Sequence, residues 1–200
     1  MQITKKGFYF IGLIVSLYAW ITLLYFFGNP GGFSATIIRL GVLLGYTSLF
    51  LAALTTSLMK QITKSFGTSF LNIHHVFSVT GVILVTLHPI TMAIQWGTLA
   101  LFIPAFEDWV SFWAGAGPIA LYIIYFSALI AVVRKYFSPK IWRILHGFIY
   151  VALIFAYFHG VLRGTDFANL GIMITFTAML IILFEILIYR RYQKYKLKQK

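Results

Sequence analysis

The sequence contains no cysteine and very little negative charge. Its 200 residues include four Asp and Glu against 16 Lys and Arg, and only 10% of the chain is charged. The missing cysteine excludes disulfides, thiolate-ligated zinc or iron–sulfur sites and thiol catalysis. Soluble domains carry about 25% charged residues and under about 50% apolar residues. Because this chain is 60% hydrophobic with a mean hydropathy of +0.90, we expect a membrane protein.

Long apolar runs dominate what the sequence does contain. A net charge of +12 could suggest nucleic acid, but the hydrophobic fraction points to a lipid membrane, so we expect no nucleic-acid partner. Apolar runs of about 20 residues are long enough to span a bilayer. The sequence therefore predicts an all-α polytopic bundle of six transmembrane helices, forming one domain over residues 1–200. The predicted spans are 7–27, 35–58, 70–95, 112–133, 141–162 and 168–188.

The basic residues predict how the bundle is oriented. They precede the first span, separate the second from the third, surround the connection from the fourth to the fifth, and fill the tail. With six spans all these positions share one side, which the positive-inside rule makes cytoplasmic. The opposite side carries Arg163 with the acids Glu107, Asp108 and Asp166. We therefore expect a multi-pass protein of the cell (inner or plasma) membrane with both termini in the cytoplasm.

All five histidines fall in the third and fifth predicted spans, which run parallel. They are His74, His75, His88, His146 and His159. Ionisable residues inside membrane spans are costly and usually functional. His74 and His88 are 14 residues apart, a rise of about 21 Å that returns to within about 40° of the same helix face. His146 and His159, 13 residues apart, are separated by about 20 Å along their helix.

Two imidazoles at each of two depths are the ligands that two bis-histidine b-type haems need. His74 is expected at the same membrane depth as His146, near the inner side, and His88 at the same depth as His159, near the outer side. His75 competes with His74 as the inner ligand, although helical phase favours His74. Thirteen steps rotate about 140° from the starting face. His146 and His159 can therefore share one partner only if the fifth helix is bulged, tilted or approached from two sides.

Two arginines are candidates for the anionic propionates of the outer haem. Arg39 lies near the outer end of the second span, where a charge needs a partner. Arg163 follows the fifth span and has the alternative role of an interface anchor. On the face of His74 and His88, the small residues Ser78 and Gly81 leave room either for a flat macrocycle or for ordinary helix packing.

The run 142–146 (Trp-Arg-Ile-Leu-His), followed by Tyr150 and His159, carries a resemblance to a known family. Together with the paired histidines and the six-helix plan, it resembles the ferric-reductase-like transmembrane domain family over nearly the whole chain. That family includes the haem core of NADPH oxidases and yeast ferric reductases, and the haem membrane subunit of the bacterial periplasmic methionine-sulfoxide reductase system. The resemblance implies that His74 pairs with His146 and that His88 pairs with His159. Members of the family carry the same 13-residue spacing between the two histidines of the fifth helix.

The resemblance also indicates what the chain lacks. Oxidases and eukaryotic ferric reductases continue into flavin- and nicotinamide-binding domains, whereas this length resembles the stand-alone bacterial subunits. No Gly-rich dinucleotide fingerprint is present, so we expect no flavin or nicotinamide site here. The electron donor would then be a separate flavoprotein on the inside or a membrane quinol. The acceptor would be a ferric chelate, oxygen, or a periplasmic oxidoreductase docked on the apolar loop 103–113.

Three functions remain open from the residues themselves. The first is a two-haem electron carrier, an oxidoreductase component that contributes no catalytic side chain of its own. The second is a single-haem, quinol-linked cytochrome b with His88 and His159 as ligands and the other histidines near a quinone. The third is a haem-free transporter that uses histidines as proton relays or metal ligands. It requires acidic partners within the spans, where the sequence offers only Glu185.

Overall fold

The computed structural model describes residues 3–28, 30–104 and 106–198, so the extreme termini of the predicted 1–200 domain lie outside the described residues. Of the described residues, 86% are helical, and none lies in a strand. Short 3-10 turns lie at Ala100–Phe102, Arg134–Tyr136 and Thr165–Ala168. The α-helices in this part of the chain are α1 Lys5–Phe27, α2 Phe33–Thr55, α3 Met59–Phe66, α4 Phe70–Trp96, α5 Trp109–Ala114, α6 Ala116–Val132, α7 Pro139–His146, α8 Phe148–Arg163 and α9 Leu170–Lys198.

Short polar residues and glycines set several of these boundaries. The side chain of Ser69 accepts a hydrogen bond from the Leu71 amide in the first turn of α4, and that of Ser138 accepts one from the Ile141 amide in the first turn of α7, where Pro139 takes the first position. Such caps satisfy amides that have no partner within the helix. Gly67 and Gly97 end α3 and α4 with φ values of 60° and 64°, a left-handed conformation that glycine adopts without steric cost.

Within the described residues, five segments are long and apolar enough to cross a membrane, which supports the predicted all-α, multi-pass membrane protein. They are Lys5–Phe27, Phe33–Thr55, Phe70–Trp96, Pro139–Arg163 (α7 and α8 together) and Leu170–Tyr189. The fourth predicted span differs, because it is divided at Gly115 into α5 and α6. Asp108 caps α5 by accepting hydrogen bonds from the amides of Val110 and Ser111. The apolar helix that remains, α6, has only 17 residues.

The other helix boundaries differ from the predicted span limits in smaller ways. The second span ends at Thr55, and the unpredicted helix α3 fills the connection that follows it. The fifth begins at Pro139 and is interrupted at Gly147. The last begins at Leu170, because the side chain of Asn169 accepts a hydrogen bond from the Gly171 amide (2.9 Å). The helix continues to Lys198, but its membrane-capable part ends at Tyr189, close to the predicted span end at 188.

Helix α2 lies at the centre of the bundle and packs closely on α4. Its residues from Gly45 to Ala53 are all buried. A methyl group at Gly45 would lie 2.8 Å from Val85 Cγ1, and one at Gly81 would lie 2.7 Å from Leu49 Cγ. These distances are too short for a side chain, so both glycines allow the two backbones to approach. Of the two roles predicted for Gly81, the structure therefore supports helix packing.

Candidate functional site

The two histidines predicted to lie near the inner side come from different helices and lie side by side. His74 is on α4 and His146 ends α7, and their ring centres are 6.4 Å apart with ring planes inclined by 69°. His74 Nδ1 lies 2.9 Å from the carbonyl oxygen of Ala52, and His146 Nδ1 lies 3.0 Å from that of Ser127. Each ring is therefore anchored to the backbone of the preceding long helix, α2 or α6.

The outer histidine of α4 has the same kind of anchor. His88 Nδ1 lies 3.2 Å from the carbonyl oxygen of Ile38 on α2. A carbonyl oxygen only accepts hydrogen bonds, so in His74, His88 and His146 the Nδ1 atom must carry the proton. A neutral ring then keeps its lone pair on Nε2, the atom available to a metal.

The end of α2 explains why one of these acceptors is available. In a continuing helix the Ala52 carbonyl would accept from the amide of Thr56, but that amide donates to Ala53 instead (3.3 Å). Carbonyls in the last turn of a helix need partners from elsewhere. His74 Nδ1 and the Thr55 hydroxyl (2.7 Å) both donate to Ala52. The end of α2 therefore fixes the orientation of the inner imidazole.

The outer histidines share a cavity of about 790 Å³. Cofactor pockets usually measure about 300–1,000 Å³. His88 and His159 line this cavity together with Arg39 and Arg163. Gly117 of α6 lies against the His159 ring: a methyl there would be 2.9 Å from Nε2 and 3.0 Å from each neighbouring ring carbon. Such equal distances place the backbone over the face of the ring rather than in line with Nε2.

The interruption between α7 and α8 lies between the two histidines of the fifth predicted span. Gly147 donates its amide hydrogen bond to Arg143 (3.2 Å), while the amide of Tyr150 returns to the Gly147 carbonyl (3.1 Å), a tightened three-residue step. The distortion expected from the 13-residue spacing is therefore present. It lies at Gly147, directly after His146 and before His159.

The two predicted arginines have different surroundings. Arg39 forms a two-pronged ion pair with Asp166, with Nη2–Oδ1 at 2.6 Å and Nε–Oδ2 at 3.1 Å. Its guanidinium also lies 5.4 Å from the centre of the Tyr25 ring. Arg163 is exposed at the end of α8. The sequence indicated that Arg39 needed a partner but did not identify Asp166, which is 127 residues away.

Two further side chains bear on the site. His75 is exposed, with its ring centre 5.9 Å from that of His74, so it faces away from the packed side of α4. Tyr46, which sequence reasoning missed, is 5% exposed and lines the cavity. Its hydroxyl has no hydrogen-bond partner among the described protein atoms. A buried polar atom at a cavity wall indicates that a ligand or water completes the site.

Haem is the cofactor that the histidine pattern implies, and the residues fit it. His74 and His146, whose ring centres are 6.4 Å apart, would each supply one imidazole to a bound haem iron. Nε2 is the free nitrogen wherever a carbonyl holds Nδ1, and the cavity at the outer histidines is large and mostly apolar. Within the described residues, no three His, Asp or Glu side chains are grouped as a metal site. His88 and His159, which line this cavity, would likewise supply imidazoles to a haem bound there.

Comparison with protein families agrees with this geometry. A family model described as "Ferric reductase like transmembrane component" matches residues 37–157, from the start of α2 into α8. The match includes His74, His88 and His146, while His159 and Arg163 lie just beyond it. A comparison with curated proteins gave no significant match. The matched segment covers more than half of the chain, which therefore belongs to the ferric reductase like transmembrane family, whose membership suggests transmembrane electron transfer.

Proposed function

We propose that the chain carries electrons across the cell membrane through two b-type haems. His74 and His146 would be the axial ligands of the inner haem, and His88 and His159 those of the outer haem. The observation that carries the proposal is the set of carbonyl contacts to Nδ1 of His74, His88 and His146. These contacts leave Nε2 of each ring free for iron, and a hydrogen-bonded second nitrogen is typical of metal-bound histidine.

The chain's own part is to hold and surround the cofactors. Bound haem would supply reversible one-electron chemistry, and the protein sets its ligands, spacing and exposure to water. The carbonyls of Ala52, Ile38 and Ser127 orient the imidazoles, and the apolar cavity wall excludes water. Arg39 and Arg163 line the same cavity, which supports their proposed role beside the haem propionates.

We further propose that residues 1–200 form one domain with six spans. Five are the long apolar segments, and the remaining one, fourth in chain order, is α6 together with the short α5. Basic residues dominate the side that carries α3 and the α6–α7 connection, which supports a cytoplasmic location for both termini. The donor would be a separate flavoprotein on that side or a membrane quinol.

The acceptor would be a ferric chelate or a periplasmic oxidoreductase on the opposite side. An apolar surface on the loop 103–113 supports docking there, since Ile103 and Trp109 are each 72% exposed. Replacing this loop should abolish electron delivery to such a partner while the haem content stays unchanged. Unchanged delivery would contradict the docking site.

The haem count tests the proposal directly. We would purify the protein in detergent and measure the reduced-minus-oxidised spectrum with a pyridine haemochrome assay. We expect two haems b per chain, with His88→Ala and His146→Ala each losing a different one. His75→Ala is the matched control, because His75 is the exposed neighbour of a proposed ligand and should retain both haems. If His75→Ala loses the inner haem and His74→Ala does not, His75 is the inner ligand.

A single-haem, quinol-linked protein is the second candidate. The cavity of about 790 Å³ at His88 and His159 favours it, because one well-formed site lies there. One haem per chain, lost in His88→Ala and kept in His146→Ala, would establish this alternative. A protein without a Soret band after expression with ample haem would contradict both candidates and support a haem-free transporter.

A further inference from the structure

A stack of side chains connects the inner surface to the inner histidine. Trp142 and His146 lie one turn apart on α7, with ring centres 5.4 Å apart and planes inclined by only 8°. Arg134, in the turn before α7, places its guanidinium carbon 4.7 Å from the centre of the Trp142 ring. The order in space is therefore an exposed cation, an indole and an imidazole.

The stack restrains the His146 ring in a way that its hydrogen bond alone does not. The contact from Nδ1 to the Ser127 carbonyl fixes one edge of the ring but leaves rotation about that axis open. A parallel indole beside the ring limits this rotation, since tilting would lose the stacked contact. Residues four apart on a helix are placed to make such a contact. Trp142 therefore determines the plane of the imidazole.

Arg134 adds a charge to the same unit. A guanidinium over an indole face is held by cation–π attraction and keeps its positive charge at every physiological pH. A nearby positive charge favours the reduced state of a redox centre, because reduction adds one negative charge. The adjacent Lys135 offers a natural comparison, since its ammonium lies over Tyr136 (5.0 Å) rather than over Trp142.

We propose that Arg134, Trp142 and His146 form a positioning unit for the inner site, in which Trp142 sets the plane of the axial imidazole and Arg134 raises the reduction potential. The proposal rests on the proposed function, because it assigns His146 as a haem ligand. The proposal adds Trp142 and Arg134 to the inner site. Both are positioning residues, which do not themselves touch the reacting atoms.

The test compares reduction potentials and EPR signals of the two haems in the purified, haem-loaded protein. The variants are Arg134→Gln, Trp142→Ala and Trp142→Phe, and Lys135→Gln is the charge-matched control. We expect Arg134→Gln to lower the reduction equilibrium constant of the inner haem by about two- to tenfold, up to about 59 mV for one electron. The outer haem should stay unchanged, and Lys135→Gln should leave both potentials at the wild-type values.

The indole variants test positioning separately from charge. Trp142→Ala should shift the EPR g-values of the inner haem, because its imidazole can rotate, and Trp142→Phe should restore most of the wild-type signal by restoring a stacked ring. If the wild-type protein binds no haem, the proposed function fails and this inference fails with it. If the wild type binds both haems but Arg134→Gln and Trp142→Ala leave the inner haem unchanged, only the inference is overturned. Equal shifts in Arg134→Gln and Lys135→Gln would also overturn it, since any surface charge would then suffice.

Discussion

Gly117 determines how closely α6 can approach the outer histidine. A methyl group at this position would lie 2.9 Å from His159 Nε2, so the ring must move in Gly117→Ala. Overpacking of this kind costs about 1–3 kcal/mol, which corresponds to roughly 5- to 150-fold weaker retention of the outer haem. We expect haem titration and EPR to show loss or distortion of the outer haem, with the inner signal unchanged.

Gly41→Ala provides the matched control for that prediction. Gly41 also lies within a helix, and a methyl group there would meet no atom within 4 Å. Both haems should be retained in this variant, because a helical glycine in open space can be replaced by alanine without a clash. Equal behaviour of the two variants would show that Gly117 does not control the position of His159.

The sequence identified which side chains belong to the site, but it identified few of the atoms that contact them. The cost of burying ionisable groups singled out the histidines and Arg39 from the sequence alone. Their partners were not accessible in the same way, because Ala52, Ile38 and Ser127 contribute backbone carbonyls that every residue possesses. The role of Tyr46 could not be predicted either. Within an apolar run, the sequence does not distinguish a tyrosine hydroxyl that faces a cavity from one that is hydrogen-bonded to the protein.

At the scale of helices, the ion pair of Arg39 and Asp166 connects α2 to the turn between α8 and α9. The side chains are 23% and 9% exposed, so both charges are largely removed from water. Removing one partner of such a pair leaves an unpaired charge, at a cost of about 3–5 kcal/mol when fully buried. We expect Arg39→Met to destabilise the protein by about 3 kcal/mol in detergent unfolding experiments, the lower end of that range because Arg39 is partly exposed.

Two further variants test whether loss of the ion pair with Asp166 causes this destabilisation. Arg39→Met combined with Asp166→Leu should recover most of the lost stability, because apolar side chains can replace a buried ion pair at little cost. Arg163→Met removes an exposed arginine from the same cavity and should change stability by less than about 0.5 kcal/mol. A double variant no more stable than Arg39→Met would show that the interaction with Asp166 is not the source of the effect.

The helices themselves were predictable where hydrophobic length decides them. Five of the six predicted ranges correspond to helices long enough to span a bilayer. The exception is 112–133, which the structure divides at Gly115 into α5 and α6; a continuous apolar run does not reveal this break, nor the earlier helix start that Asp108 caps. Similarly, α3 was missed because it is short and amphipathic, with only Ile62 and Phe66 buried, so a search for long apolar runs passes over it.

For the molecule as a whole, the uneven distribution of basic residues predicts the orientation in the membrane. Because the sequence contains no cysteine, an introduced cysteine would be the only thiol in the chain that a maleimide can label. Thr63 and Thr98 flank α4, and both are exposed and uncharged. Helix α4 has 27 residues, a length of about 40 Å, so the two positions must lie on opposite sides of a bilayer about 30 Å thick. Single variants Thr63→Cys and Thr98→Cys therefore report one side each.

We expect a membrane-impermeant maleimide to label Thr98→Cys in intact cells or spheroplasts, and Thr63→Cys only in inverted vesicles. The reason is the positive-inside rule, since α3 itself carries Lys60 and Lys64, whereas Arg163 lies at the opposite end of the bundle with three of the four acids. The opposite labelling pattern would place the His74–His146 pair on the outer side and reverse the proposed direction of electron flow. Labelling of both variants from one side would show that α4 does not cross the membrane, which would contradict two histidine pairs at different depths.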